Sequence, residues 1–310
     1  MHVVPGGTGL EIWAAVNTPF GPEGELRLEA VGEQAAHLLG EGVNGVFVGG
    51  TTGEFPALST AERLELAAAW AEHRPSGLGL AVHVGHTALG QACELAAQAA
   101  SLGADMIAAV APYYGTSAKV EAVVAHLAKI AEAAPGVPLC YYHIPGMTGL
   151  DLPVSAVVAE GVKHVPTLAA VKFTDGDLLE FARTQEVAPG VRVFWGKDEL
   201  LPAALALGAR SVIGSLYNFL APRARQVFAA ATEGRLDEAA RLHRPFRDVA
   251  ELADRLGSLA TVKELVSRFG PRTGRCRSPW DSLPADAMAQ IDRLAEDLRP
   301  IVAERTGTAS

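Results

Sequence analysis

Eight short apolar runs recur within the first 215 residues, separated by longer segments in which apolar residues recur at helical spacing. The runs are almost continuously apolar, as is typical of strands buried on both faces of a parallel sheet. They lie at 12–17, 45–49, 78–85, 106–111, 138–142, 168–173, 191–195 and 211–215. Eight strand–helix units predict a closed (β/α)8 TIM barrel rather than an open sheet.

The segments between the runs are predicted to be helices. At 59–73, Ser59 and Glu62 form a capping-box pattern just before the apolar positions. A second helix is predicted at 89–103. No G-x-G-x-x-G turn follows the first run, so the sequence does not favour a dinucleotide-binding sheet.

The strand pattern stops after residue 222, and the remaining chain is predicted to be helical. We therefore predict a barrel domain at 1–222 and a C-terminal helical region at 223–310 that packs on the barrel.

Charge and composition narrow the possible partners. The chain has a net charge of −9, which does not favour a nucleic-acid or acidic-membrane partner. It has no run of 18 apolar residues, so we expect neither a signal peptide nor a membrane span. Cys93, Cys140 and Cys276 lack metal-type spacing and favour a reducing compartment, so we predict a cytoplasmic protein.

Lys172 ends the sixth apolar run, LAAVKF, in a chain with six lysines. In a (β/α)8 barrel, the carboxyl ends of the strands carry the active site. Of the other lysines, Lys197 alone follows a strand in a similar way, and the acids after it predict a solvated, paired side chain. A desolvated lysine can present a neutral amine that attacks a ketone to form a Schiff base. Lys172 is either such a nucleophile or a lysine that merely ends a strand.

Other strand ends supply groups that such chemistry needs. Tyr141 and Tyr142 end the fifth run, and strand alternation turns only one of them into the barrel, where a phenol can transfer protons. Thr51 and Thr52 lie in GGTTGE after the second run and offer hydroxyl and N–H groups to a carboxylate. Taken singly, the loop is also compatible with a simple turn, and the tyrosines with packing.

A metal site has little support. His83 and His86 lie three positions apart, so on a strand they face opposite sides, and no third ligand stands at a clear spacing. We expect no metal and no cofactor.

Several motifs together resemble a known superfamily. The chain resembles the dihydrodipicolinate synthase/N-acetylneuraminate lyase superfamily of Schiff-base (class I) aldolases over roughly residues 10–300. The motifs, in order, are TPF (18–20), GTTGE (50–54), PYY (112–114), YYHIPGMTG (141–149), VKFTDGDL (171–178) and GKDELLPAALALGARSVIGSLYN (196–218).

The resemblance implies roles for five residues of the reaction centre. Lys172 would be the Schiff-base nucleophile, and Tyr142 would transfer protons together with Thr51. Thr51 and Thr52 would bind the carboxylate of a 2-oxo acid. Tyr114 resembles a tyrosine that family members extend into a neighbouring subunit's site, which implies a homotetramer built as a dimer of dimers.

The resemblance also points to one branch of the superfamily. The synthase branch usually has an arginine where this chain has Met147. The lyase-branch pattern instead fits five residues that would bind the glycerol-like tail of a sialic acid. They are Thr174, Gly196, Asp198, Glu199 and Ser215. Asp198 and Glu199 are also compatible with a helix N-terminus, where acids are favourable.

The expected function is reversible cleavage of N-acetylneuraminate to pyruvate and N-acetylmannosamine, without a cofactor. Three alternatives remain open. The first is an aldolase or dehydratase for another 2-keto-3-deoxy sugar acid, the second is a dihydrodipicolinate synthase-like enzyme that condenses pyruvate, and the third is a non-catalytic sugar-acid sensor.

Overall fold

The computed structural model describes residues 9–114 and 119–304. Within these ranges, eight parallel strands form a closed barrel in sequence order, with β8 paired to β1. The prediction of a (β/α)8 barrel is confirmed. The strands are β1 (Glu11–Ala15), β2 (Gly45–Val48), β3 (Gly79–His83), β4 (Met106–Val110), β5 (Leu139–His143), β6 (Leu168–Phe173), β7 (Arg192–Trp195) and β8 (Ser211–Gly214).

Helices surround the barrel and continue beyond it. The α-helices are α1 (Val31–Gly40), α2 (Thr60–His73), α3 (Leu89–Ser101), α4 (Val120–Ala133), α5 (Pro145–Thr148), α6 (Val154–His164), α7 (Leu178–Val187), α8 (Leu201–Ala206), α9 (Tyr217–Thr232), α10 (Leu236–Leu256), α11 (Ser258–Phe269) and α12 (Ala287–Ala303). Short 3-10 segments lie at Leu28–Ala30, Phe55–Ala57 and Asp198–Leu200. The predicted capping box is present, since the Ser59 side chain accepts from the Glu62 N–H and the Glu62 carboxylate accepts from the Ser59 N–H.

The helix α9, which follows β8, crosses the domain boundary predicted at residue 222. It contains Pro222 and has a non-helical backbone at Leu220, where φ is −117°. Helices α10 and α12 pack on α9, and α11 packs on α10 and α12. The C-terminal helices are therefore joined to the barrel through its last helix, and the division at 222 stays a prediction.

Strand alternation divides the buried residues into two layers. An outer layer fills the space between the strands and the helices and contains Tyr141 and Val171. An inner cluster fills the barrel and includes Trp13, Phe47, Ala81, Ala108, Cys140, Tyr142, Ala170, Phe194 and Ile213. Tyr142 pairs with Lys172 across the β5–β6 register, so both side chains lie at the same level of the barrel.

Among the helices of residues 9–114 and 119–304, none combines the length and apolar character needed to cross a membrane.

Candidate active site

Lys172 is buried near the carboxyl end of β6, with 4% of its surface exposed. Its Nζ lies 4.0 Å from the ring centroid of Tyr142 and 4.6 Å from that of Phe47. Among the described residues it makes no ion pair and no hydrogen bond. Aromatic faces stabilise a cation by only about 1–2 kcal/mol and supply no counter-charge. The amine is therefore held in the barrel without a carboxylate partner.

Lys197 lies in a different environment. Its Nζ is 2.6 Å from Glu199 Oε1, and its side chain is about one-third exposed. The prediction of a solvated, paired lysine is confirmed at this position. Of the two lysines that follow strands, only Lys172 presents its amine to the barrel interior without an ion pair.

The Tyr142 hydroxyl lies 3.1 Å from the Thr51 hydroxyl. Tyr142 is buried, whereas Thr51 is half-buried at the carboxyl end of β2. Either hydroxyl can donate in this bond, so a proton can pass between them. The phenol, the threonine and the lysine come from strand ends that are distant in sequence, and the barrel brings them together.

The loop after β2 directs its carbonyl groups into the protein. The carbonyls of residues 49 to 53 accept hydrogen bonds from His83 Nδ1, Phe55 N, Glu54 N, Asn17 Nδ2 and the Thr18 hydroxyl, respectively. By contrast, the N–H groups of Thr51 and Thr52 have no acceptor within the described part of the chain. Successive free N–H groups in such a turn form an anion-binding concavity. The loop is therefore suited to hold a carboxylate beside Lys172.

His83 supports this loop from β3. Its Nδ1 lies 2.9 Å from the Gly49 carbonyl, so Nδ1 carries the proton and donates it. Burial lowers the pKa of His83 well below its usual value, and the nearby Arg63 charge lowers it further. The ring packs edge-on against Tyr142 at 5.8 Å. In residues 9–114 and 119–304, no group of three or more His, Cys, Asp or Glu side chains is arranged to hold a metal ion.

Thr174 and Gly196 are neighbours where β6 and β7 end. The Thr174 hydroxyl oxygen is buried and has no hydrogen-bond partner among the described residues. A Cβ atom at position 196 would collide with this oxygen, so glycine leaves the space that the hydroxyl occupies. The two residues form one wall of the barrel mouth. The Thr174 hydroxyl oxygen in this wall has no hydrogen-bond partner among the described residues.

Asp198 is buried under the start of α9. Its Oδ2 accepts from the Leu216 N–H at 2.9 Å, and the buried hydroxyl of Tyr217 interacts with the same carboxyl group. Gly214 makes room for the carboxyl group, because a Cβ atom there would collide with Oδ1. Burial raises the pKa of Asp198 to about 7, against the lowering effect of the Leu216 N–H.

Glu199 and Ser215 complete this side of the barrel mouth. Both are half-buried, and Glu199 is the partner of Lys197. Asp198 and Glu199 do begin a helical segment, as the alternative interpretation expected. Asp198, however, accepts from Leu216 on another element, so its position is set by more than the helix start.

Tyr114 lies apart from the other candidates. It follows β4 with 94% of its surface exposed. The predicted contribution to a neighbouring subunit's site involves a contact between chains, and it stays a prediction.

The sequence reasoning missed a buried ion pair between Glu54 and Lys263. Lys263 lies in the predicted C-terminal helical region, and its Nζ is 2.6 Å from Glu54 Oε1. The residues are 209 positions apart, so no spacing rule could connect them. The one available signal was the acid itself, which directly follows the two threonines in GTTGE.

Comparisons with known proteins agree with this geometry. The model of the dihydrodipicolinate synthetase family matches residues 9–298. The N-acetylneuraminate lyase of Mus musculus is 33% identical over 307 residues, 96% of each chain. The structure of an N-acetylneuraminate lyase from Proteus mirabilis superposes with a TM-score of 0.89 at 28% identity, covering 94% of this chain and 98% of the other. A dihydrodipicolinate synthase from Bacillus anthracis gives a TM-score of 0.86 at 25% identity, covering 93% and 97%.

The raised pKa of Asp198 predicts a pH-dependent stability. In the folded protein the acid keeps its proton up to about pH 7, whereas in the unfolded chain it releases it near its ordinary value of 3.8. Stability should therefore fall as pH rises through this window, because the unfolded state binds fewer protons. The Asp198→Asn variant lacks this ionisation. We expect its Tm, relative to that of the wild type, to rise progressively from pH 4 to pH 7 in thermal unfolding scans. A constant difference across that range would contradict the assignment.

Proposed function

The chain belongs to the dihydrodipicolinate synthetase family, and from this premise we propose that it is a carbon–carbon lyase that reversibly cleaves N-acetylneuraminate to pyruvate and N-acetylmannosamine. The observation that carries the proposal is the amine of Lys172, buried without a counter-ion beside the Tyr142 ring. Named N-acetylneuraminate lyases that align with nearly the whole chain support this substrate.

The reaction begins with imine formation. The Lys172 amine attacks the C2 ketone of the open-chain sugar acid, and the carbinolamine loses water to give a protonated imine. The substrate carboxylate lies on the free N–H groups of Thr51 and Thr52, whose loop carbonyls are held on the opposite side. This contact fixes C2 against the lysine and lowers the entropic cost of attack.

Cleavage follows from the electron demand of the imine. Tyr142 accepts the proton of the C4 hydroxyl, the C3–C4 bond breaks, and its electron pair enters the imine to form an enamine. The bond between the Tyr142 and Thr51 hydroxyls gives the phenolic proton a path away from the reacting atoms. Protonation of the enamine at C3 and hydrolysis of the imine then release pyruvate and restore the lysine.

The polar residues at the mouth suit a polyhydroxylated substrate. Asp198 and Glu199 can accept hydrogen bonds from vicinal hydroxyls, while the Thr174 and Ser215 hydroxyls can donate or accept. The unused Thr174 oxygen needs a partner that a sugar tail would supply. Gly196 keeps the wall close to the Thr174 hydroxyl.

The assembly and location of the enzyme are proposed on the family resemblance. We propose a cytoplasmic homotetramer in which exposed Tyr114 enters a neighbouring subunit's site.

One alternative keeps the same chemistry with a different substrate. A pyruvate-condensing synthase shares the scaffold, as the structure from Bacillus anthracis illustrates. Met147 offers no charge to a second carboxylate, which disfavours that alternative. Another 2-keto-3-deoxy sugar acid would use the same polar mouth and is tested beside N-acetylneuraminate.

Borohydride trapping tests the nucleophile and the substrate together. After incubation with N-acetylneuraminate and borohydride, peptide mass spectrometry should find a reduced pyruvyl adduct on Lys172, because cleavage leaves the enamine of pyruvate on that amine. The Lys172→Ala variant should give no adduct and no turnover, whereas Lys197→Ala, the matched lysine after β7, should still be trapped at position 172. Trapping with pyruvate but not with N-acetylneuraminate would keep the mechanism and reject the substrate. An active Lys172→Ala enzyme would reject the mechanism.

The Tyr142→Phe variant separates proton transfer from imine formation. We expect kcat to fall by roughly 10²–10⁴-fold, since the variant lacks the acid–base group. Trapping of pyruvate on Lys172 should persist, because the ring that packs against the amine is retained. Steady-state assays coupled to pyruvate release measure the first effect, and mass spectrometry measures the second. A kcat equal to that of the wild type would remove Tyr142 from the mechanism.

A further inference from the structure

Glu54 has an unusual backbone conformation directly after the carboxylate-binding loop. Its φ is +57°, and among the described residues it is the one non-glycine residue with positive φ. The left-handed region is disfavoured for residues that carry a Cβ atom. A glycine would adopt this conformation more readily. The contacts of the Glu54 side chain therefore have to offset the free-energy cost of the left-handed backbone.

Those contacts are buried and ionic. Glu54 is 0% exposed and Lys263 is 1% exposed. Glu54 Oε1 accepts from Lys263 Nζ at 2.6 Å, and Oε2 accepts from the backbone N–H of Arg277 at 2.8 Å. Both carboxylate oxygens are thus bound by residues of the C-terminal region, one on α11 and one in the segment that follows it.

Lys263 also connects this pair to the barrel. Its Nζ donates to the Thr18 carbonyl at 2.8 Å, while the Thr18 hydroxyl donates to the Gly53 carbonyl at 2.6 Å. The end of β1, the loop after β2 and helix α11 are therefore joined through one ammonium group. Burial lowers the pKa of Lys263, and the charge of Glu54 opposes that shift.

The pair holds the loop at the residue that ends it, two positions after Thr52. With Glu54 and the carbonyl of Gly53 held there, the N–H groups of Thr51 and Thr52 remain free of acceptors within the described residues. A displaced Glu54 would rotate the preceding peptide groups, since the left-handed residue sets the direction of the turn. The same amides that bind the carboxylate would then lose their alignment.

We propose that Glu54 and Lys263 are positioning residues that align the Thr51 and Thr52 amides with the carboxylate of a 2-oxo acid, so that helix α11 is part of the construction of the active site. The inference rests on the proposed function, because it concerns the carboxylate subsite of that reaction. It goes further by assigning a role in substrate binding to two residues that do not touch the substrate.

A merely structural pair and a positioning pair differ in what they affect. Loss of a structural pair lowers the stability of the protein and weakens the binding of every ligand alike. Loss of a positioning pair weakens the binding of ligands that carry a carboxylate, while the reactivity of Lys172 towards an uncharged ketone remains. Pyruvate and acetone form this contrast, because they share the methyl ketone and differ in the carboxylate.

The experiment measures borohydride trapping on Lys172 as a function of ketone concentration. In the Lys263→Met variant, the pyruvate concentration for half-maximal trapping should rise by about tenfold or more, since small misplacements at a binding site are costly. The acetone concentration for half-maximal trapping should stay within about twofold of the wild-type value. The matched control is Lys129→Met, which removes an exposed lysine paired with Glu132 at 2.8 Å and should leave both values unchanged.

A second variant covers the case in which Lys263→Met fails to fold. Removing one partner leaves a buried charge, whereas replacing both partners with neutral groups is often tolerated. The double variant Glu54→Gln/Lys263→Met should therefore fold and show the same selective loss for pyruvate. Wild-type pyruvate trapping in the folded variants, or a parallel loss for acetone, would overturn the inference. Failure of the wild type to trap pyruvate at all would instead overturn the proposed function.

Discussion

The active site depends on an amine that is kept in the barrel without a counter-ion. Desolvation disfavours the charged form of a lysine, and a neighbouring carboxylate would favour it. The structure contains both situations. Lys172 lies against the rings of Tyr142 and Phe47, whereas Lys263 is equally buried but bound to Glu54 and the Thr18 carbonyl. Two buried lysines in one chain thus differ in their surroundings, because Lys263 has an ionic partner and Lys172 has none among the described residues.

The hydrogen bonds of the loop after β2 leave the N–H groups of Thr51 and Thr52 without acceptors among the described residues. Five successive carbonyls accept from donors at the ends of β1 and β3 and from the loop itself, so the peptide planes cannot turn their oxygens towards the barrel mouth. The free amides are the consequence of that arrangement. The Thr51 hydroxyl is also bonded to Tyr142. The proposed carboxylate binding and proton transfer would therefore depend on the same few residues, and a distortion of the loop would affect both.

Local patterns were sufficient to predict the barrel and the position of Lys172. The apolar runs mark strands because each strand is buried on both faces, and the period of two places Tyr142 and Lys172 in the same layer. The contact between Glu54 and Lys263 could not be predicted in this way. It joins the loop after β2 to α11, and the two residues are 209 positions apart in the sequence. The sequence around Lys263 is typical of an ordinary amphipathic helix. A local pattern predicts which face of an element is buried, but not which distant charge will meet it. The same limit applies to the role predicted for Tyr114, which would involve a second chain.

Asp198 shows how the fold holds a buried acid at the barrel mouth. The charge of Lys172 does lower the pKa of Asp198, but burial and the neighbouring Glu199 raise it, and the result is about 7. Near neutral pH the acid is therefore divided between its neutral and ionised forms. Its Oδ2 is bound to the Leu216 N–H, and the Tyr217 hydroxyl interacts with the same carboxyl group. A partly neutral acid can donate as well as accept a hydrogen bond, which is what the hydroxyl groups of the proposed sugar tail would require.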